Sequence, residues 1–184
     1  MGYHSGRDNG NRSLEPGRGV KGLHGSDPRS GGLRSAELVD GKLRLVLNNT
    51  LAAIQDGQGA LAQCLAGWAL APRTCNRLEI LFEELVANTI RHGFAKGSDQ
   101  TIHVEVERKA GAIQLTFEDD GKPFNPLEAE PPEPFISLEE AKVGGLGISL
   151  VAKLSSDLRY ERLETHRDAA GFAPCNRIIV GVAL

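Results

Sequence analysis

Glu84, Asn88 and His92 recur at four-residue intervals in the stretch from Leu78 to Gly93. A helix turns about 100° per residue, so in a helix these three side chains form one stripe along its surface. That stripe borders an apolar stripe made of Leu78, Leu81, Phe82, Leu85 and Thr89. A carboxylate and an amide at this border can face a binding site while the apolar stripe holds the helix in the core. The alternative is a solvent-exposed helix edge without a chemical role.

The flanking residues predict where this helix begins and ends. Asn76 is a candidate N-cap, and Glu79 follows it three residues later, as in a capping box. Gly93 is a candidate left-handed stop after Arg91 and His92. We therefore expect a helix of about four turns that ends at Gly93.

A second polar group, Asp119 to Phe124, follows a predicted strand directly. An aspartate at the end of a strand, with Gly121 two residues later, can direct its carboxylate into a pocket while the backbone turns. Such a carboxylate can accept a hydrogen bond from an exocyclic amine such as that of adenine. The alternative is an ordinary turn, in which aspartate and glycine are common.

A third motif, Gly144-Gly145-Leu146-Gly147, opens a predicted helix. Glycines let the backbone approach a ligand closely, and the free amides at a helix start favour phosphate. The motif lacks the Gly-Lys-Ser/Thr of a Walker loop, and it follows a long polar loop instead of the strand that precedes a Rossmann fingerprint. The alternative is a flexible hinge in front of a helix.

Composition excludes several classes of protein. The formal charge of −3 on 184 residues predicts no direct contact with nucleic acid. Three scattered cysteines without a C-x-x-C pair favour a reducing compartment over a disulfide framework or a zinc site. No apolar run is long enough to cross a bilayer, and no signal segment begins the chain. We expect a soluble, cytoplasmic protein that does not bind membranes.

Two regions are expected. Residues 1–41 are rich in glycine and lack apolar periodicity, which predicts a disordered tail or an extension. Residues 42–184 form the folded domain, with sequential hairpins and no repeated crossover units. This pattern favours an α+β two-layer sandwich, in which helices cover one face of a mixed, mainly antiparallel sheet. The predicted elements are strands at Leu43–Leu47, Thr101–Glu107, Ile113–Phe117, Asp157–Arg162 and Asn176–Val182, and helices at Leu51–Leu70, Leu78–Gly93 and Leu146–Leu154.

In this order and spacing, the three motifs resemble those of the GHKL (Bergerat-fold) ATP-binding superfamily. Glu84–Asn88 with His92 and Gly93 corresponds to its N box. Asp119–Phe124 corresponds to its first glycine box and Gly144–Val151 to its second. The resemblance covers residues 42–184 and is strongest to the small anti-sigma-factor serine kinases and related ATP-binding regulators.

The resemblance implies a role for each residue. Glu84 would be the catalytic base, Asn88 would coordinate Mg²⁺, and Asp119 would bind the amino group of adenine. Gly121 would let the chain pass the purine, and residues 125–143 would form a lid over ATP. The remaining residues implied to contact the nucleotide are Lys142, Gly144, Gly145, Leu146 and Gly147.

The implied function is an ATP- and Mg²⁺-dependent protein serine kinase in bacterial partner switching. Its substrate would be an anti-sigma-factor antagonist protein, and its second partner would be a sigma factor. The resemblance leaves open whether the chain forms a homodimer. A rival is an ATP-binding module that switches protein partners with little or no phosphoryl transfer, and a third alternative is an interaction domain without nucleotide. The last box of the family, usually Gly-Thr before a strand, is here Cys175-Asn176-Arg177-Ile178, so no closing threonine contact is carried over.

Overall fold

A computed structural model of the protein describes residues 31–94, 99–128, 146–164 and 174–184. Its strands are β1 Leu33–Val39, β2 Lys42–Asn48, β3 Thr101–Lys109, β4 Ala112–Asp119, β5 Asp157–Leu163 and β6 Cys175–Ala183. Its helices are α1 Ala52–Ala66, α2 Pro72–Asn88 and α3 Leu146–Leu154. A π-helical turn, Thr89–Gly93, continues α2, and a short 3₁₀ turn spans Pro126–Glu128. None of the described helices is long and apolar enough to cross a membrane.

The six strands form one sheet in the order β1-β2-β3-β4-β6-β5, and every described pair is antiparallel. Side chains alternate between its two faces, as in β3, where Ile102, Val104 and Val106 are buried and His103 and Glu105 are not. The buried side chains join those of all three helices in one core. The predicted α+β sandwich with helices on one face is therefore confirmed.

The predicted boundary at residue 42 is wrong, because β1 lies inside the segment expected to be a disordered tail. β1 pairs with β2 from Leu33 opposite Leu47 to Val39 opposite Lys42. Asp40 and Gly41 form the two-residue turn between them, with φ of 52° and 76°. Positive φ at both turn residues is typical of Asp-Gly hairpins, a signal that the glycine-rich composition concealed. Residues 1–30 lie outside the described part of the chain.

Helix α2 starts earlier than predicted, and its helical path ends at Gly93 as predicted, but without the expected left-handed stop. It begins at Pro72 after Ala71, and not at Asn76, because proline fits the first helical position well. At its other end the chain passes from the α-helix into the π-helical turn without a left-handed residue, since Gly93 is not among the described glycines with positive φ. Thr89 Oγ donates to the carbonyl oxygen of Leu85 at 3.1 Å within this transition.

The predicted apolar stripe of α2 is confirmed as the centre of the core. Leu78, Leu81, Phe82 and Leu85 are at most 1% exposed. Phe82 packs against α1 at Gly57, where a Cβ atom would overlap the ring tip and lie 2.9 Å from Cε1. Gly57 and Gly59 therefore do not interrupt α1, and Gly57 is a packing site.

We expect Gly57→Ala to destabilise the protein although alanine favours helix. The added methyl group meets a ring that is fully buried, and overpacking of this kind costs about 1–3 kcal/mol, more than the roughly 0.5–1 kcal/mol gained in helix formation. Gly59→Ala is the matched control, because nothing lies within 4 Å of its Cβ position. Urea unfolding should show loss of stability for the first variant and a gain for the second, and equal gains would contradict the packing.

Candidate functional site

Glu84 and Asn88 lie one turn apart on α2, half-buried at the border of its apolar stripe. The start of α3 packs against the first of them. A Cβ atom on Gly147 would overlap Oε2 of Glu84 and lie 3.1 Å from its Cδ. Two motifs that are more than sixty residues apart in sequence therefore meet at this carboxylate.

Asp119 ends β4 and is 6% exposed. Its Oδ1 accepts hydrogen bonds from the backbone N–H of Gly121 and from Nδ2 of Asn176, both at 2.9 Å. Gly121 lies against the π-helical turn, since a Cβ there would overlap the carbonyl oxygen of Gly93. Lys122 N donates to the same oxygen at 3.1 Å. The close approach of the two backbones explains the glycine.

The residues around α2 are therefore arranged along one helix and its π-helical extension. Glu84 contacts Gly147, and nine residues later Gly93 contacts the Asp119 loop, which corresponds to roughly 13 Å along a helix axis. Asn88 lies between them. The ring of His92 stacks on Phe124, with centroids 5.9 Å apart and planes at 26°, which ties the same loop to the helix.

One residue at the site was not identified from the sequence. Asn176 is 3% exposed, and its Nδ2 donates to Asp119 and, at 2.9 Å, to the carbonyl oxygen of Lys122. Its Oδ1 accepts from the hydroxyl of Tyr160 at 2.9 Å and from Nη1 of Arg162 at 3.1 Å. The available signal was the alternation of β6, which places Asn176 on the same face as the buried side chain of Ile178.

Burial has the largest effect on the pKa of Asp119. Desolvation raises the pKa of Asp119 above the ordinary aspartate value, and Asp120 raises it further. The hydrogen bonds from Asn176 and Gly121 and the charge of Arg162 oppose this rise in pKa. The negative charge of Asp119 is therefore lost at a higher pH than that of a surface aspartate.

A protein-family model described as "Histidine kinase-like ATPase domain" matches residues 47–170. The chain belongs to this family. The match includes Glu84, Asn88, Asp119 and Gly147, and it indicates that the domain binds ATP. The predicted resemblance to GHKL anti-sigma-factor kinases is confirmed at the level of the family.

Two relatives agree with this assignment. The chain is 28% identical over 85 residues to the serine/threonine-protein kinase BtrW of Bordetella bronchiseptica, which covers 46% of this chain and 60% of that protein. The chain thus spans less than two thirds of the length of this curated relative. A solved structure of the RsbU and RsbW domains of Rv1364c from Mycobacterium tuberculosis superimposes with a TM-score of 0.51 at 18% identity. It covers 78% of this chain and 32% of that one, and it shows the shared fold.

Part of the predicted ATPase site lies outside the described residues. Lys142, Gly144 and Gly145 are in this part, as is most of the expected lid at 125–143. Leu146 is described only as the first residue of α3. The cation and most of the glycine cradle that would meet the phosphates therefore stay predictions.

The donor set around Asn88 fits Mg²⁺ that is held jointly with a nucleotide. Among the described residues, no three His, Cys, Asp or Glu side chains form a cluster that could hold a metal alone. Mg²⁺ sites of nucleotide enzymes usually have one or two protein oxygen ligands, with phosphates and waters completing the octahedron. An amide at Asn88, one turn from the Glu84 carboxylate, meets this requirement.

A cleft of about 520 Å³ lies elsewhere, on the sheet face opposite the helices. It is lined by charged side chains that pair across the strands, including Arg44 with Glu105 at 3.0 Å and Arg177 with Glu118 at 2.7 Å. His103 also lines it, because in β3 it alternates with the buried Ile102 and Val104 and so lies on this face. None of the predicted site residues that the structure describes lines this cleft.

We expect Gly121→Ala to lower the free energy of unfolding by about 1–3 kcal/mol, because its methyl group would collide with the backbone of Gly93 and with Oδ1 of Asp119. Gly67→Ala is the control, since its Cβ would lie an ordinary 3.4 Å from the Cys64 carbonyl oxygen. Urea unfolding without nucleotide measures both variants. Equal stabilities would mean that the loop after β4 does not pass this close to the π-helical turn.

Proposed function

We propose that this protein is a cytoplasmic, ATP- and Mg²⁺-dependent protein serine kinase that acts as an anti-sigma factor. Its substrate is a serine of an anti-sigma-factor antagonist, and its second partner is a sigma factor. The observation that carries the proposal is the arrangement along α2, in which Glu84 contacts Gly147 at one end and Gly93 contacts the Asp119 loop at the other. The family match and the similarity to BtrW support the kinase class.

In this proposal the purine lies at the Asp119 end of α2 and the triphosphate at the Glu84 end. Asp119 accepts a hydrogen bond from the amino group of adenine. Glu84 takes the proton of the serine hydroxyl while that oxygen bonds to the γ-phosphorus and the bond to the β–γ bridging oxygen breaks. Asn88 holds Mg²⁺, which supplies charge neutralisation at the phosphates. Phosphoryl transfer depends mainly on such positioning and electrostatic stabilisation.

A second candidate is an ATP-binding regulator that exchanges partners with little transfer. The last family box favours it, because Cys175-Asn176-Arg177-Ile178 replaces the usual Gly-Thr and no closing threonine contact is carried over. Mass spectrometry of candidate antagonist proteins after incubation with this protein and ATP-Mg²⁺ separates the candidates. A phosphoserine supports the kinase, and its absence despite tight ATP binding supports the regulator.

Glu84→Gln should leave ATP affinity nearly unchanged and lower the rate of phosphoryl transfer by roughly 10²–10⁴-fold, because glutamine cannot accept the proton. Glu83→Gln is the matched control. Glu83 is exposed and accepts a hydrogen bond from Gln58 at 3.0 Å, away from the site. Single-turnover phosphorylation measures the rate, and a Glu84 variant as active as the Glu83 variant would remove Glu84 from the role of base.

Asn88→Ala should weaken binding of ADP in the presence of Mg²⁺ by roughly tenfold or more, since the hard cation loses a protein oxygen ligand. Without Mg²⁺ the parent and the variant should bind ADP equally, which makes the metal-free titration the internal control. Calorimetry measures both affinities. An equal loss with and without Mg²⁺ would show that Asn88 contacts the nucleotide or supports the fold instead of holding the metal.

A further inference from the structure

Asp119, Asn176 and Arg162 lie directly opposite one another on the neighbouring strands β4, β6 and β5. This row crosses the helix-covered face of the sheet, where the preceding row consists of Phe117, Ile178 and Tyr160. Three polar side chains in a row at such a place require mutual hydrogen bonds, since an unpaired buried polar group costs about 1–3 kcal/mol. Here each member of the row bonds to the next.

The chemistry of its neighbours fixes the orientation of the Asn176 amide. The Asp119 carboxylate and the Lys122 carbonyl are acceptors, so the NH₂ group must face them. The Arg162 guanidinium can only donate, so the amide oxygen must face it. Asn176 thus accepts hydrogen bonds on one side and donates them to Asp119 and the Lys122 carbonyl on the other, which an apolar residue could not do.

This arrangement also fixes Asp119. Both donors that the described residues bring to its carboxylate, Gly121 N and Asn176 Nδ2, bind Oδ1. Oδ2 is left to accept a hydrogen bond from a ligand. Two donors on one oxygen hold the plane of the carboxylate and favour its ionised form.

We propose that Asn176 is the positioning residue that sets nucleotide selectivity at this site. By holding Asp119 ionised and oriented, it makes the carboxylate a strict acceptor for the amino group of adenine. Guanine presents a carbonyl oxygen at that position and is repelled by the ionised form. The inference rests on the proposed function, since it places the purine at Asp119.

The charged and titratable groups around Asp119 give the sign of the pH effect. Asp120 on its own strand end disfavours the carboxylate, while Arg162 on β5 favours it. Tyr160 on β5, whose pKa is raised by burial, donates its hydroxyl hydrogen to Asn176 and does not titrate near neutral pH. Removing the Asn176 donor therefore raises the pKa of Asp119 further. Binding of adenine is then lost at a higher pH as the solution is acidified, and a protonated Asp119 can donate to guanine.

The test measures the affinities of ADP and GDP for the full chain by calorimetry between pH 5 and pH 8. Asn176→Ala should lower the preference for ADP by roughly tenfold or more and move the pH midpoint of ADP binding upward. Asn176→Ser, which keeps a hydroxyl donor, should recover part of both. Ser156→Ala is the control, because it removes a comparable hydrogen bond, from Ser156 Oγ to the Gly181 carbonyl at 3.0 Å, away from Asp119.

A double variant distinguishes positioning from general destabilisation. In an Asp119→Asn background no carboxylate remains to be held, so Asn176→Ala should have no further effect on selectivity or pH midpoint. If Asn176→Ala fails to fold, Tyr160→Phe should shift the same two quantities in the same direction by less. An unchanged midpoint and selectivity in the folded variants would overturn the inference and leave the proposed function intact. Absence of ADP binding to the parent would overturn both.

Discussion

The packing of Phe82 against Gly57 and Phe117 is the interaction on which the site depends. The two phenylalanine rings lie 6.1 Å apart at 50°, and they connect α2 to β4 on the inner face of the sheet. Asp119 is the next residue of β4 on that face, and Glu84 is two residues after Phe82 on the helix. A buried contact between two large side chains therefore sets the separation of the two carboxylates. The missing side chain of Gly57 allows α1 to close over the ring.

The second constraint is the burial of a carboxylate. Removing an ion from water costs several kcal/mol, whereas a hydrogen bond to a charged group stabilises by about 1.5–3 kcal/mol. Two such bonds on Asp119, with Arg162 close by, offset much of this cost. An apolar residue in its place would be the more stable choice for a structural position. A buried carboxylate at the end of β4, next to the turn at Gly121, is therefore consistent with a binding role.

Local patterns in the sequence predict most of the fold because each depends on neighbours in the chain. Strict alternation predicts β3 and β4, and the Ala110-Gly111 turn follows, with Gly111 at a φ of 78°. The apolar stripe of α2 is correct for the same reason. The start of α2 is less clear from the sequence, since a proline such as Pro72 suits both the residues after one helix and the first position of the next.

Patterns of this kind do not reveal which strands become neighbours. Asn176 faces Asp119 only because β6 is inserted between β4 and β5, and the two residues are 57 positions apart in the chain. In the sequence alone, Cys175-Asn176-Arg177-Ile178 shows only that the Gly-Thr of the last family box is absent. β1 was missed for a different reason, because averaging over a glycine-rich segment hides a seven-residue strand.

The contact between Glu84 and Gly147 connects the geometry to the choice between kinase and regulator. A helix start attracts anions, and both a carboxylate and a triphosphate meet this condition. They can share the place only if a cation separates their charges, and in the proposed function Asn88, one turn away, holds that cation. In a regulator that only binds ATP, a carboxylate in this position would weaken binding without benefit. In a kinase it must be close to the phosphate to take the proton of the attacking hydroxyl, so its position at the start of α3 favours transfer.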